Sequence, residues 1–309
     1  MNYGLTKEQC STVAQNASQL LYEYCRQYNI HHVVVGISGG LDSAVTLALA
    51  SNAQKIATAY AYKLEPVAIM MPCQSSGKSI SLARAVIDKL DVYHMLIDLT
   101  ETFAFMQEKQ LDPINKQIFE QLTKVGPEVK QDDFEYAQKI AQGNVKARLR
   151  MITVYHVARM LNGLVLSTDN LSELWMGFWT ICGDVGDYGM IQNVLKGTEL
   201  YDLARYLGVP KEIIDAKPDD GLGVAGGDAD QLGATYPVID EIMLRQIHNG
   251  LNPDGGLGQL KSLITIPGVD FDTVTSITKR ALQNAFKRRG TLNLSREQLG
   301  LPPLEQIKL

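Results

Sequence analysis

An α/β protein built on a doubly wound parallel sheet, with a helical extension at its C-terminal end, is the fold that this 309-residue sequence predicts. Three observations carry that expectation. A β-branched run, Val33-Val34-Val35-Gly36-Ile37, empties through a glycine turn into a helical run, Ala44-Val45-Thr46-Leu47-Ala48-Leu49-Ala50. Further short apolar runs alternate with segments of helical period, the pattern of successive βαβ units. Hydrophobic residues make up 45% of the chain, ample for the core of one large domain.

Taken in order, residues 6–28 read as an amphipathic helix with Val13, Ala17, Leu20, Leu21 and Tyr24 along its inward face. β-branched residues favour a strand at 33–37. Next comes Ser38-Gly39-Gly40-Leu41-Asp42-Ser43, with Ser43 where a helix N-cap would stand. A second strand is expected at 65–71, a helix at 79–90, and a third strand at 93–99 with a helix beginning near Thr100. Residues 111–133 are polar and interrupted by Pro113, Gly126 and Pro127, which predicts a surface excursion or lid. A long helix over about 133–162 leads to a fourth strand at 164–166. A second glycine-rich stretch, within residues 219–230, reads as a mobile loop, and the tail from 249 to 309 holds one clear helix near 273–288. No internal repeat or low-complexity segment divides the chain, so residues 1–309 are taken as a single domain.

Composition narrows the partners. A net charge of −5 argues against an extensive nucleic-acid groove. The N-terminus has no basic region followed by an apolar one, and no run approaches the ~20 apolar residues that span a bilayer, so a cytoplasmic protein is expected. Cys10, Cys25, Cys73 and Cys182 are widely separated, with no Cys-x-x-Cys pair, which predicts reduced thiols rather than a zinc site or a redox dithiol.

The glycine turn carries the chemistry. Two glycines let consecutive N–H groups point outward with no Cβ in the way, and the positive end of the helix dipole adds to them, making an anion site. Ser38 and Ser43 offer hydroxyl donors. Asp42 is out of place beside a phosphate unless a cation lies between, so it reads as a Mg²⁺ ligand. The spacing is neither Gly-x-x-x-x-Gly-Lys-Ser/Thr nor Gly-x-Gly-x-x-Gly, which sets aside P-loop and dinucleotide-fold readings. Further on, Gln142-Gly143-Asn144-Val145-Lys146-Ala147-Arg148-Leu149-Arg150-Met151 places Asn144, Arg148 and Met151 on one helical face, with Lys146 and Arg150 on another. Leu166-Ser167-Thr168-Asp169-Asn170-Leu171-Ser172-Glu173 runs from a strand's C-terminal end into a helix, where open parallel sheets bind ligands. Thr168 can cap that helix or meet a nucleotide. Glu173, one turn in, is the second carboxylate assigned to Mg²⁺.

The Ser-Gly-Gly-x-Asp-Ser loop resembles that of the ATP pyrophosphatases, whose fold is adenine nucleotide alpha hydrolase-like. The segments from Gln142 and Leu166, followed by Gly177, Thr180, Gly183-Asp184, Asp187 and Lys196, resemble the ammonia-dependent NAD+ synthetases. That resemblance, from the first helix through Lys287, implies ATP-dependent amidation of deamido-NAD+ by ammonia through an adenylated carboxylate. It implies that Ser38, Gly39, Gly40, Leu41, Asp42 and Ser43 hold the ATP phosphates, that Thr168 and Lys196 also contact ATP, and that Asp42 and Glu173 hold Mg²⁺. Asp42, Glu173 and Lys196 would serve catalysis, and Arg148, Asp187 and Lys287 would contact deamido-NAD+. A homodimer is implied, with neither nucleic acid nor membrane as a partner. Glutamine-using relatives carry an amidase domain, for which no room precedes Ser38, so free ammonia or a partner enzyme would supply nitrogen. After Lys217-Pro218 the family has a hydroxyl residue where this chain has Asp219, and its later Gln-x-Asp-Glu is altered to Gly226-Gly227-Asp228-Ala229. Two other readings stay open: amidation of nicotinate mononucleotide, and a nucleotide-binding homolog without turnover.

Overall fold

The computed structural model describes residues 4–125, 130–219, 226–290 and 295–300. Helix α1 (Lys7–Gln27) is capped by Thr6, whose hydroxyl accepts the Gln9 N–H while the Gln9 side chain accepts the Thr6 N–H. Then follow β1 (His32–Gly36), α2 (Leu41–Ala59), β2 (Glu65–Met70), α3 (Gly77–Leu90), β3 (Tyr93–Leu96) and α4 (Thr100–Met106). A π-helical turn (Gln107–Leu111) joins α4 to α5 (Asp112–Val125), and α6 (Gln131–Leu161) runs to β4 (Leu164–Ser167). The remainder is α7 (Leu171–Met176), β5 (Tyr188–Gly189), α8 (Glu199–Leu207), α9 (Lys211–Ile214), α10 (Asp228–Leu232), α11 (Tyr236–His248) and α12 (Phe271–Gln283), with 3-10 turns at Leu257–Ser262 and Ala285–Arg289.

The five strands are parallel throughout, in the order β3-β2-β1-β4-β5. The order reverses between β1 and β4, and ligands of open α/β sheets bind at such a switch point. Three consecutive valines explain why β1 is central. Val33 and Val35 point into a core shared with α1, α2 and α8, while Val34 points into a second core with Phe103 of α4 and Val154 and Val157 of α6. Both faces of the sheet are therefore covered, as a doubly wound sheet requires. A third apolar cluster joins α7, α11 and α12 through Trp175, Met176, Ile239, Met243, Val274 and Ile277, and forms the C-terminal helical extension.

Four local expectations are corrected. The buried face of α1 is Cys10, Ala14, Ser18, Leu21, Tyr22 and Cys25; of the expected residues Leu21 is buried, Val13 and Ala17 pack against the core, and Leu20 and Tyr24 are exposed. Small residues line that face because α1 packs closely on α2, with the Ser18 hydroxyl donating to Leu49 O at 3.0 Å. The third strand stops at Leu96. The predicted excursion at 111–133 is helical up to 125 and again from 131, while Gly126 and Pro127 lie outside the described residues. Pro113 is tolerated because it falls in the first turn of α5, directly after the wide turn in which the Asp112 N–H reaches back to Gln107 O. Within the second glycine-rich stretch, residues 220–225 lie outside the described residues, and 228–232 form α10 rather than loop. Among the described residues no helix is long and apolar enough to cross a membrane.

Candidate active site

The glycine turn leaves β1 at the switch point. Gly39 has φ +88°, and a Cβ there would lie 2.3 Å from Ser79 O, so only glycine lets the turn rest against α3. Gly40, not Ser43, is the N-cap of α2. Ser43 is buried in the first turn and donates to Gly40 O at 3.1 Å, while Ser38 is exposed with its Oγ 3.2 Å from that of Ser43. The two hydroxyls thus brace the turn, and Leu41 and Asp42 open the helix whose amides and dipole face the sheet edge.

Asp42 meets the opposite side of the switch point directly. Asn170, after β4, donates through Nδ2 to Asp42 Oδ1 at 2.7 Å and accepts the Glu173 N–H at 3.0 Å through its Oδ1. Asn170, and not Thr168, is therefore the cap of α7. Lys196 Nζ lies between the two carboxylates, 2.9 Å from Asp42 Oδ2 and 2.7 Å from Glu173 Oε1, with Asp228 Oδ2 at 3.8 Å. The three residues predicted from distant segments to serve catalysis thus converge on one point. Three carboxylates against one ammonium leave a formal surplus of two negative charges.

Burial sets the electrostatics. It pushes the Glu173 carboxyl up, an effect that Lys196 opposes and Asp42 reinforces. It works against the Lys196 ammonium, but Asp42, Glu173 and Asp228 outweigh it and hold the amine protonated. Burial also raises Asp169 to about 6, although its carboxylate accepts the Ser167 hydroxyl at 2.7 Å. Asp184 is raised by burial too, with the Thr180 N–H bond pulling the other way.

The residues expected to meet the acceptor are more dispersed. Arg148 is exposed, and its Nε donates to Ile181 O at 3.2 Å. Asn144, one turn earlier on α6, accepts the Thr180 hydroxyl at 2.7 Å, so two of the three residues of that predicted face address the loop after α7, while Met151 packs against the core beside Val154. Lys146 and Arg150 point elsewhere: Lys146 over the Phe103 ring, Arg150 to Met71 O. Lys287, in the last 3-10 turn, grips the same loop from the other side through Gly177 O at 2.6 Å and Trp179 O. Burial lowers its ammonium, and Arg280 adds to that. Trp179 Nε1 is buried without a hydrogen-bond partner among the described residues. Asp187 stands apart, with its carboxylate accepting the Tyr155 hydroxyl at 2.7 Å and the Val165 N–H at 3.3 Å, which pins β5 beside β4. Asp219 is exposed at the edge of the undescribed residues 220–225.

The sequence alone assigns no role to Asn170 and Asp228, which stand inside the segments quoted above, or to Tyr236 and Asp240. The last two lie on α11, an element it does not single out, where two polar residues at i and i+4 share a face with Ile239 and Met243. Polar residues spaced along an apolar helical stripe are the signal that points to them.

Comparison with known proteins gives one answer in sequence. The NAD synthase family profile matches residues 13–291. The NH3-dependent NAD+ synthetase of Methanocaldococcus jannaschii is 31% identical over 283 residues, 91% of this chain and 95% of that one. Among solved structures, the NMN synthetase of Francisella tularensis superposes with a TM-score of 0.67 at 25% identity, covering 93% of this chain and 98% of that one. The NH3-dependent NAD synthetase of Campylobacter jejuni shares the fold, with a TM-score of 0.63 at 24% identity over 93% and 99% of the two chains.

Proposed function

The chain belongs to the NAD synthase family, and from that premise we propose that it amidates deamido-NAD+ with ammonia, using ATP and releasing AMP and pyrophosphate. The observation that supports this most is the buried knot of Asp42, Asn170, Glu173 and Lys196 behind a glycine turn at the switch point. A carboxylate resists attack by an amine because oxide would have to leave. Joining it to AMP removes that obstacle: the carboxylate oxygen bonds to the α-phosphorus as the bond to pyrophosphate breaks. Ammonia then bonds to the acyl carbon, the bond to AMP breaks, and a proton leaves the nitrogen.

The site's own groups suit the first step. Lys196, fixed between two carboxylates, supplies positive charge that needs no reorganisation as pyrophosphate departs. The amides of the Ser38–Ser43 turn and the start of α2 would cradle the phosphates, with Thr168 at the end of β4 beside them. Two carboxylates converging on one cation, with a surplus of negative charge around them, are donors of the kind that hold a hard divalent ion together with phosphate oxygens. Asp42 and Glu173 would hold Mg²⁺, which when bound neutralises phosphate charge.

Arg148 and Lys287, which hold one loop through Ile181 O and Gly177 O, with Trp179 Nε1 of that loop without a partner among the described residues, would contact deamido-NAD+. Asp187 would join them through Tyr155. A homodimer in the cytoplasm completes the proposal. It is supported by an apolar stripe left on the surface: Ile114, Ile118 and Leu122 at i, i+4 and i+8 of α5, and Ile152, Tyr155 and Met160 on one flank of α6, all more than a third exposed. The likeness to an NMN synthetase supports a second reading, in which the acceptor is nicotinate mononucleotide.

Pyrophosphate exchange into ATP without ammonia tests the adenylation. Exchange that depends on deamido-NAD+ supports the proposal. Exchange driven only by nicotinate mononucleotide favours the second reading, and none with either acceptor contradicts both.

A further inference from the structure

Tyr236 is the buried polar residue at the phosphate centre that the chemistry above leaves unused. Its hydroxyl lies 2.8 Å from Asp228 Oδ2 and 3.2 Å from Glu173 Oε1, and Lys196 Nζ sits 4.6 Å from the centre of its ring. One side chain therefore touches a carboxylate and the ammonium of the catalytic knot, together with the acid that follows the second glycine-rich stretch.

The placement of the ring is over-determined. Asp240, one turn further along α11, is fully buried; it accepts the Gly197 N–H at 2.8 Å and the Ser172 hydroxyl at 2.5 Å, and Ser172 Oγ in turn accepts the Lys196 N–H at 2.9 Å. A Cβ on Gly197 would stand 2.6 Å from the Tyr236 carbonyl carbon and 2.7 Å from Asp240 Oδ2, so α11 rests directly on the turn that carries Lys196. Ser172 also precedes Glu173 in the chain. Through Asp240 and Ser172 the helix holds the backbone at Lys196 and Gly197, and through Tyr236 it reaches the side chains of Glu173 and Lys196.

We propose that Tyr236 is a positioning residue for the nucleotide centre: its hydroxyl sets the rotamer of Glu173 and its ring fixes the height of Lys196, so that Glu173 meets Mg²⁺ and Lys196 meets the ATP phosphates in one geometry. A phenylalanine would fill the same apolar space, and only the hydroxyl distinguishes this role from packing. The inference rests on the proposed amidation for its physiological meaning, yet nucleotide binding reads it without turnover.

The test is calorimetric titration of Mg·ATP into the full-length wild type and Tyr236→Phe, alongside initial-rate kinetics and thermal melts. Losing a hydrogen bond to a charged group predicts an ATP Kd and KM raised about ten- to hundredfold, with the acceptor KM unchanged. Should Tyr236→Phe fail to fold, Asp228→Asn alters the far end of the same contact and is expected to weaken Mg·ATP in the same direction. An unchanged Mg·ATP Kd in a folded variant, or a lowered melting temperature with the ATP KM unchanged, overturns the proposal. So does a wild-type chain that does not bind Mg·ATP. A wild type that binds Mg·ATP but turns over no acceptor sinks the amidation reading alone, and the comparison of the two Kd values still decides the role of Tyr236.

Discussion

The proposed nucleotide centre and the proposed acceptor region lie in one molecule but are built on opposite principles. At the centre, Lys196 is 5% exposed and its ammonium is surrounded by side chains: the Asp42, Glu173 and Asp228 carboxylates, and the Tyr236 ring. In the acceptor region, Arg148 is exposed and Lys287 half-buried, and both rest on backbone carbonyls of a single loop. The first is preorganised within one chain, with one ammonium held among three carboxylates. The second is a set of donors that awaits a ligand, beside an uncovered apolar stripe on α5 and α6. Changes at the centre should therefore cost the reaction itself, while changes in the acceptor region should cost only affinity for one substrate.

Removing a carboxylate gives the largest effect. Asp42→Ala or Glu173→Ala takes one partner from the buried ammonium, and kcat/KM should fall by about 10³-fold or more in steady-state assays, a loss of the size set by removing one partner of a buried charge pair. Full turnover in either variant would erase the contrast between the two regions.

Asp240→Asn comes next, read as stability. Burial raises the Asp240 carboxyl to about 6 in the folded protein, against 3.8 for the ordinary group. The folded state thus binds this proton more tightly than the unfolded chain does, and stability is lost as pH rises from about 4 through 6. The asparagine variant lacks that loss. Urea unfolding at pH 4 and pH 7 should show the variant gaining on the wild type by up to about 3 kcal/mol, 2.2 pH units at 1.36 kcal/mol each. A pH-independent difference would mean that Asp240 is not the strained acid described.

Arg148→Ala and Lys287→Ala should raise the acceptor KM about ten- to hundredfold and leave the ATP KM alone. A shift in the ATP KM instead would merge the two regions. The smallest expected effect belongs to Ile152→Glu, on the exposed flank of α6: sedimentation should show the dimer weakened, with the acceptor KM rising several-fold and Mg·ATP binding untouched. A chain that is monomeric before the change would remove the partner from the account.

The same division governs what could be read in the sequence. The central strand, the glycine turn and the long α6 are local patterns, and they stand within a few residues of where they were expected. Asp42, Glu173 and Lys196 stand in segments that the order of residues singles out, and the fold brings their side chains together. The inward face of α1 is only partly legible, because large apolar residues suggest Leu20 and Tyr24, which are exposed, whereas close packing on α2 selects Ala14 and Ser18. Pro113 hid α5 because a proline reads as a break unless the preceding wide turn is known. Tyr236 and Asp240 belong to no chemical motif, and only their polar character on an apolar helical stripe marks them locally. Their meaning comes from contacts 63 and 68 residues away in the chain, which only the packing of α11 on the Lys196 turn creates.

The most direct test of the central claim is to incubate the purified protein with deamido-NAD+, ATP, Mg²⁺ and ammonium, and to follow NAD+ and AMP together. The account predicts the two products in equal amounts. AMP without NAD+, or amide formed only when nicotinate mononucleotide replaces deamido-NAD+, would contradict it.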